Sequence, residues 1–216
     1  MSRLSFTPSQ KTGHWRLGDP RMVGLNPQIK GMTDRLAKDG FVALAPDLYH
    51  GDLATHQEFD KAERLMNQHL PQQAAKDMNV AIDFLSQSEY ITNPAIGVIG
   101  FCMGGMLSFM IAANRGDVVK AVVPFYGFPQ GEGEPDWRQM QAVVRGHMGK
   151  NDDYFSSEAA KKLEEKLLSM GKDVHFHFHE AGHAFMNEEN PLNTYDPEIS
   201  KKTWSDMVSF LKKTLG

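Results

Sequence analysis

Apolar and polar positions along the chain fall into blocks whose spacing switches between the period of a helix and the short unbroken runs of a buried strand. Residues 26 to 39 set Ile29, Met32 and Leu36 on one face, with Asn26 as N-cap, Pro27 at the first helical position and Gly40 as a stop, and so predict a helix. Phe41-Val-Ala-Leu-Ala45, closed by Pro46, reads as a strand buried on both faces. A second helix is predicted around 56 to 69. A third runs from Pro71 to about Leu85, where Ala74, Met78, Ala81, Ile82 and Leu85 recur at helical spacing. The alternation continues with a strand from Ile96 to Gly100, a helix from Met103 to Ala113 and a strand from Ala121 to Tyr126. Strands at 142 to 148 and 174 to 179 flank a helix at 156 to 170 that Gly171 ends, and a helix at 197 to 214, with Asp196 as cap and Pro197 behind it, closes the chain. This β-α order predicts an α/β fold, a mostly parallel central sheet with helices on both faces, whose chemistry gathers at the carboxyl ends of strands.

The first 23 residues break the pattern. They contain no apolar run, and His14-Trp-Arg-Leu-Gly-Asp-Pro-Arg-Met22 scatters charge and proline where a strand should precede the first helix. The chain therefore divides into an anomalous segment, 1–23, whose strand is expected to be missing or degraded, and one domain, 24–216. Its 216 residues, 41% of them apolar, suit a single core. Twenty-three Lys and Arg against 27 Asp and Glu give a net charge of -4 with no long basic block, which argues against a nucleic-acid partner. No apolar run approaches the ~18 to 20 residues that cross a bilayer, and the N-terminus lacks the apolar stretch of a signal peptide, so no membrane partner is expected and a cytoplasmic location is. A single cysteine, Cys102, excludes an intramolecular disulfide and any multi-cysteine metal cluster.

That cysteine sits in Gly100-Phe-Cys-Met-Gly-Gly105, where a predicted strand hands over to a predicted helix. The pattern G-x-nucleophile-x-G, with Cys in place of Ser, belongs to a tight strand-to-helix turn that leaves no room for side chains two residues before and after the nucleophile. The helix would aim its positive end and free N–H groups at the sulfur, and the N–H of Met103 would supply half of an oxyanion hole. A buried cysteine beside packing glycines would produce the same motif, so its partners decide. Asp152 and Asp153 follow the strand at 142 to 148, and His183 follows the strand at 174 to 179. Nucleophile, acid, base is the chain order of an α/β-hydrolase, and the residues alone leave open which aspartate serves.

The sequence resembles the dienelactone hydrolase (carboxymethylenebutenolidase) family of α/β-hydrolases over about residues 24 to 216. The likeness rests on Gly24-Leu-Asn-Pro-Gln-Ile29, Ala45-Pro-Asp-Leu-Tyr49, Gly100-Phe-Cys-Met-Gly-Gly105, Phe125-Tyr-Gly127, Gly149-Lys-Asn-Asp152 and Ala181-Gly-His-Ala-Phe185. It implies a Cys102–His183–Asp152 triad that cleaves lactones or related esters through an acyl-enzyme, with the family's spacing of Gly to Asp selecting Asp152. It further implies a small-molecule substrate, no cofactor and no metal, and a monomer is the expectation. Tyr126 and Phe185 are the candidate substrate contacts, and Tyr49 and Trp137 are further aromatic residues that either line a pocket or pack.

In this family a Glu from the loop before the first helix assists thiolate formation, and that loop gives the second oxyanion N–H. Counting back from Gly24 against a family strand of the type G-V-L-V-I-H-E-W-W-G-L-N puts Arg21 where the Glu belongs. One choice of codons for Trp15 to Gly24, TGG CGT CTT GGT GAT CCA CGA ATG GTG GG, gives G-V-L-V-I-H-E-W-W when read one base later. Residues 15–23 are therefore expected to be an out-of-frame translation of the family strand, with frame restored near Gly24. Loss of that strand is expected to leave buried backbone groups without partners.

Other chemistries fit the sequence less well. His179-Glu-Ala-Gly-His183 matches H-E-x-x-H, a zinc-hydrolase motif when helical, but it ends an alternating strand, His175-Phe-His-Phe-His179, and contains Gly182. The alternating histidines are expected on a solvent-facing side, with Phe176 and Phe178 turned inward. Met66, Met78, Met106 and Met170 fall on core spacing, and Asn151-Asp-Asp-Tyr lacks the pattern of a calcium loop. A catalytically silent homologue that acts as a binding module is the alternative function.

Overall fold

The structure, a computed structural model, describes residues 5–7, 15–17, 25–52, 71–91, 93–190 and 192–216. The helix expected at 56 to 69, together with Met66 and Arg21, lies outside the described residues. The chain divides into two compact units, Met1–Ile96 and Gly97–Gly216.

In the first unit, helix α1 (Pro27–Lys38) begins as its sequence requires. The Asn26 side chain accepts the Ile29 N–H at 3.0 Å, Pro27 occupies the first turn, and Ile29, Leu36 and Ala37 are buried. The chain then reverses through Gly40, whose φ of +96° suits glycine. Strand β3 (Val42–Ala45) follows, buried along its length. Two short strands flank it: β1 (Ser5–Thr7) runs antiparallel, pairing Ser5 with Ala45, and β2 (Trp15–Leu17) runs parallel, pairing Trp15 with Val42. Three residues of the N-terminal segment on each side thus pair with β3, because ladder hydrogen bonds are main-chain bonds indifferent to side chain. Helix α2 (Pro71–Ser86) buries Ala74, Met78, Ala81, Ile82 and Leu85, the positions its periodicity picks out.

The second unit carries strands in the order β4 (Ile96–Phe101), β5 (Val119–Phe125), β6 (Val143–Gly149) and β7 (Val174–His179). The pairs β5–β6 and β6–β7 are parallel, with helices α3 (Met103–Asn114), α4 (Ser157–Ser169) and α5 (Pro197–Leu215) in the connections and at the end. Neighbouring residues on a strand face opposite ways, so β7 shows which helix covers which face. Phe176 packs edge-on against Phe109 of α3, and Phe178 lies under Lys161 of α4. On the other face Arg145, the register partner of His175, sets its guanidinium over Phe210 of α5. Helices therefore cover both faces of this part of the sheet, as the sequence predicts.

Two expectations are corrected by packing. Met170, expected in the core, is exposed at the C-cap of α4, because the helix ends there and the chain turns through Gly171. The alternating histidines are not a uniformly solvated stripe: His175 is exposed, but His177 and His179 are half-buried. Both stack on buried His147 at 5.3 Å, interplanar angles 23° and 24°, and His147 in turn stacks on Phe125 at 4.9 Å. The register produces this column, since Phe125 pairs with His147 and His147 with His177 on one face. His147 Nδ1 and His179 Nε2 share a hydrogen bond at 3.1 Å, which holds only while one of the two nitrogens lacks a proton.

Burial, then the neighbouring imidazoles and Lys202, push His147 well below the ordinary histidine value. Burial first also lowers His177 and His179, with Lys202 and the adjacent imidazoles adding to it and Asp206 opposing. These groups stay neutral when folded and take up protons on unfolding, so their stabilisation is complete above pH 6.5 and is lost as the pH falls below it. Urea unfolding is expected to give a lower stability at pH 5 than at pH 6.5. His147→Phe, which keeps a stacking ring without a titrating group, is expected to lessen that fall; an unchanged pH dependence in the variant would remove His147 from the account.

Candidate active site

Cys102 occupies the single residue between β4 and α3. Its φ of 55° and ψ of -122° place an L-residue in the left-handed half of the map, a conformation that costs about 1–3 kcal/mol and survives only where surrounding structure imposes it. Two contacts impose it here. The Cys102 N–H donates to the Phe125 carbonyl at the end of β5, at 3.0 Å. The Cys102 carbonyl lies so close to Gly127 that a Cβ there would stand 1.8 Å from it, and a Cβ on Gly100 would stand 2.0 Å from the Gly104 carbonyl. The side chain is half-buried. Met103 opens α3, where a helix presents N–H groups that no carbonyl one turn earlier can accept.

The acid follows β6. Asp152 is buried, and its two carboxylate oxygens have separate partners. Oδ2 accepts the His183 Nδ1–H at 2.9 Å, while Oδ1 accepts the backbone N–H groups of Tyr154 at 2.8 Å and Phe155 at 2.9 Å. Asp153 is exposed, and of the two aspartates it is Asp152 that contacts His183. The loop that looked like a poor calcium site is instead an Asx turn organised by the same carboxylate.

His183 stands in the loop beyond β7, with the strained Ala184 (φ 61°) behind it and its carbonyl accepting the Thr194 hydroxyl. The stretch from His179 to His183 leaves the strand and turns without forming a helix, so its two imidazoles do not share a helical face and the zinc reading loses its geometry. Burial alone would hold His183 below its ordinary value. Hydrogen bonds to Asp152 and to the Cys102 side chain, with the charge of each, override that and raise it to about 9. The raised value adds stability that is complete below pH 6.5 and is lost as the pH rises through about 9, the reverse of the buried imidazole column.

Tyr126 and Phe185, the candidate substrate contacts, are both buried. Tyr126 (φ 38°) donates its N–H to the His147 carbonyl at 2.8 Å, and its ring meets His183 and Phe185 edge-on at 5.1 Å each. Trp137 packs edge-on against Phe109 at 5.6 Å and is core, and Tyr49 is buried in the first unit. Tyr154 and Phe155 went unrecognised in the sequence, yet their rings lie 4.8 and 5.9 Å from His183. The signal was available in an acid followed by two aromatic residues after a strand end. Nothing in the sequence points to Thr194.

A protein-family model described as the dienelactone hydrolase family matches residues 20–215. The chain is 32% identical over 191 residues to "Protein usf" of Aquifex pyrophilus, covering 87% of this chain and 81% of that protein. It is 25% identical over 199 residues to a carboxymethylenebutenolidase of Pseudomonas sp. (strain P51), covering 89% and 81%. A Klebsiella pneumoniae protein provisionally assigned as a dienelactone hydrolase has a crystal structure that superposes with a TM-score of 0.80 at 22% identity, covering 98% of this chain and 99% of that one, a likeness of fold.

In imidazole NMR titrations, His183 is expected to change protonation near pH 9 in the unmodified chain and to move back toward 6.5 in Asp152→Asn, while Asp153→Asn leaves it in place. Equal effects of the two substitutions would contradict the assignment of Asp152.

Proposed function

We propose that this chain, which belongs to the dienelactone hydrolase family, cleaves lactones or activated esters with Cys102 as nucleophile, His183 as proton carrier and Asp152 as the group that orients it. What supports this reading is the strained turn that sets Cys102 between β4 and α3, together with the buried hydrogen bond of His183 to Asp152, within one 120-residue unit, Gly97–Gly216.

The sulfur of Cys102 attacks the acyl carbon, a C–S bond forms, and the carbonyl electrons move to oxygen, where the Met103 N–H receives the developing charge. Collapse of this intermediate expels the ring oxygen, which takes a proton from His183, and leaves a thioester. Having given its proton to the leaving oxygen, the imidazole is neutral at the stage where it must draw a proton from water. Water then attacks the thioester, the C–S bond breaks, and the acid leaves. Thiolates suit activated esters better than amides, and a lactone with a stabilised enolate leaving group fits that bias. We take Tyr126 and Phe185 to wall the acyl site from behind the imidazole.

We also propose that residues 15–23 are an out-of-frame stretch, which sequencing of the encoding DNA tests: codons that do not give the apolar strand one base over overturn it. Arg21, standing where the family carries a Glu, is the feature that favours the silent alternative. With a chromogenic short-chain ester or a dienelactone, Cys102→Ala is expected to lower kcat/KM by roughly a thousandfold or more. A Cys102 thioester is expected by mass spectrometry of the quenched enzyme. Turnover that persists in the variant excludes the thiol mechanism, and no turnover in either chain supports the silent reading.

A further inference from the structure

We propose that Tyr154 is a positioning residue for His183, its exposed ring completing, with Phe155 and Tyr126, an aromatic cage that holds the imidazolium toward Cys102. The proposal deepens the reading of Cys102, His183 and Asp152 as the reacting groups and rests on it. Three rings surround the imidazole in three orientations: Tyr126 edge-on at 5.1 Å and 66°, Tyr154 tilted at 4.8 Å and 50°, and Phe155 nearly parallel at 5.9 Å and 17°. The ionisable groups that face it are Cys102 and Asp152, beside the phenols of Tyr126 and Tyr154.

The cage is built by the acid. Asp152 Oδ1 accepts the N–H groups of Tyr154 and Phe155 while Oδ2 accepts from the imidazole, so one carboxylate fixes the charge and two of the rings around it. Phe155 is further anchored, edge-on at 5.3 Å against buried Phe128. Tyr154 is different, being 65% exposed. Its cost in exposed apolar surface is matched by what a ring there does. The negative face of an aromatic ring attracts a cation within about 6 Å, and the ring also limits the swing of the imidazole beside it. An imidazolium gains from this and a neutral imidazole gains much less, so the ring favours the charged form that pairs with the sulfur before acylation.

The test compares Tyr154→Phe, Tyr154→Leu and Tyr154→Ala; exposure of the side chain makes all three tolerable to the fold, which a thermal melt checks. His183 is titrated by imidazole NMR in the resting protein, and kcat and KM are measured with a small aliphatic ester. Phe, which keeps the ring face, is expected to leave both readouts in place. Leu and Ala are expected to lower the His183 midpoint by about half a pH unit and kcat by roughly 3- to 10-fold, with KM within about twofold. An unmoved midpoint in Tyr154→Ala overturns the proposal, as does a Leu variant that behaves like Phe. A rise in KM for aromatic substrates with the midpoint unmoved would make the ring a substrate contact and also overturn it. The titration needs no turnover, so an inactive set of proteins with the expected midpoints counts against the reaction proposed above and leaves the cage standing.

Discussion

The backbone of Cys102 is the constraint on which the site depends. A residue with φ near 55° relaxes unless its neighbours forbid it, and here the end of β5 accepts its N–H at the Phe125 carbonyl while the turn just beyond it offers only a glycine, Gly127, against its own carbonyl. The end of one strand thus sets the turn at the end of the next, and the sulfur is projected from the sheet at the start of α3. Every other feature of the site is arranged around that point.

Asp152 is the second organiser. A carboxylate bound only to the imidazole would fix its tautomer but leave the loop after β6 free to move. With its other oxygen held by two N–H groups, the carboxylate ties the loop, its aromatic residues and the imidazole into one body. The Thr194 hydroxyl on the His183 carbonyl and the Ser200 hydroxyl on the Phe185 carbonyl, at 2.8 Å, fasten the loop from the other side. The imidazole therefore arrives with little freedom left to lose.

Two sets of histidines in the same unit are driven in opposite directions. His183 has an anionic partner at hand and holds its proton to about pH 9, whereas His147, His177 and His179 have mainly one another and Lys202 and are held neutral. The sets are joined by contact: Phe125 stacks on His147 and meets Tyr126 and Phe185, which pack on each other, and Tyr126 meets His183. The ends of β5 and β6 are thus linked to His183 through a continuous set of ring contacts.

The amino-acid order by itself determined what depends on neighbours a few residues apart: the helical and strand periods, the Asn26 and Asp196 caps, and the glycines that permit the turn at Cys102. The loops that carry the site were legible for the same reason, since strand ends and turn residues are local signals. Contacts between distant residues were not. That Asp152 and not Asp153 meets His183, 31 residues further on, that the alternating histidines of β7 stack on His147, and that Tyr154 faces the imidazole were decided by strand register and by α5 covering one face. The aspartates are adjacent and chemically identical, and the histidines repeat on a strand that could face water or a helix. Only the distances and burial created by folding distinguish such alternatives, because hydrogen bonds and ring contacts act over a few ångströms of space and not along the chain.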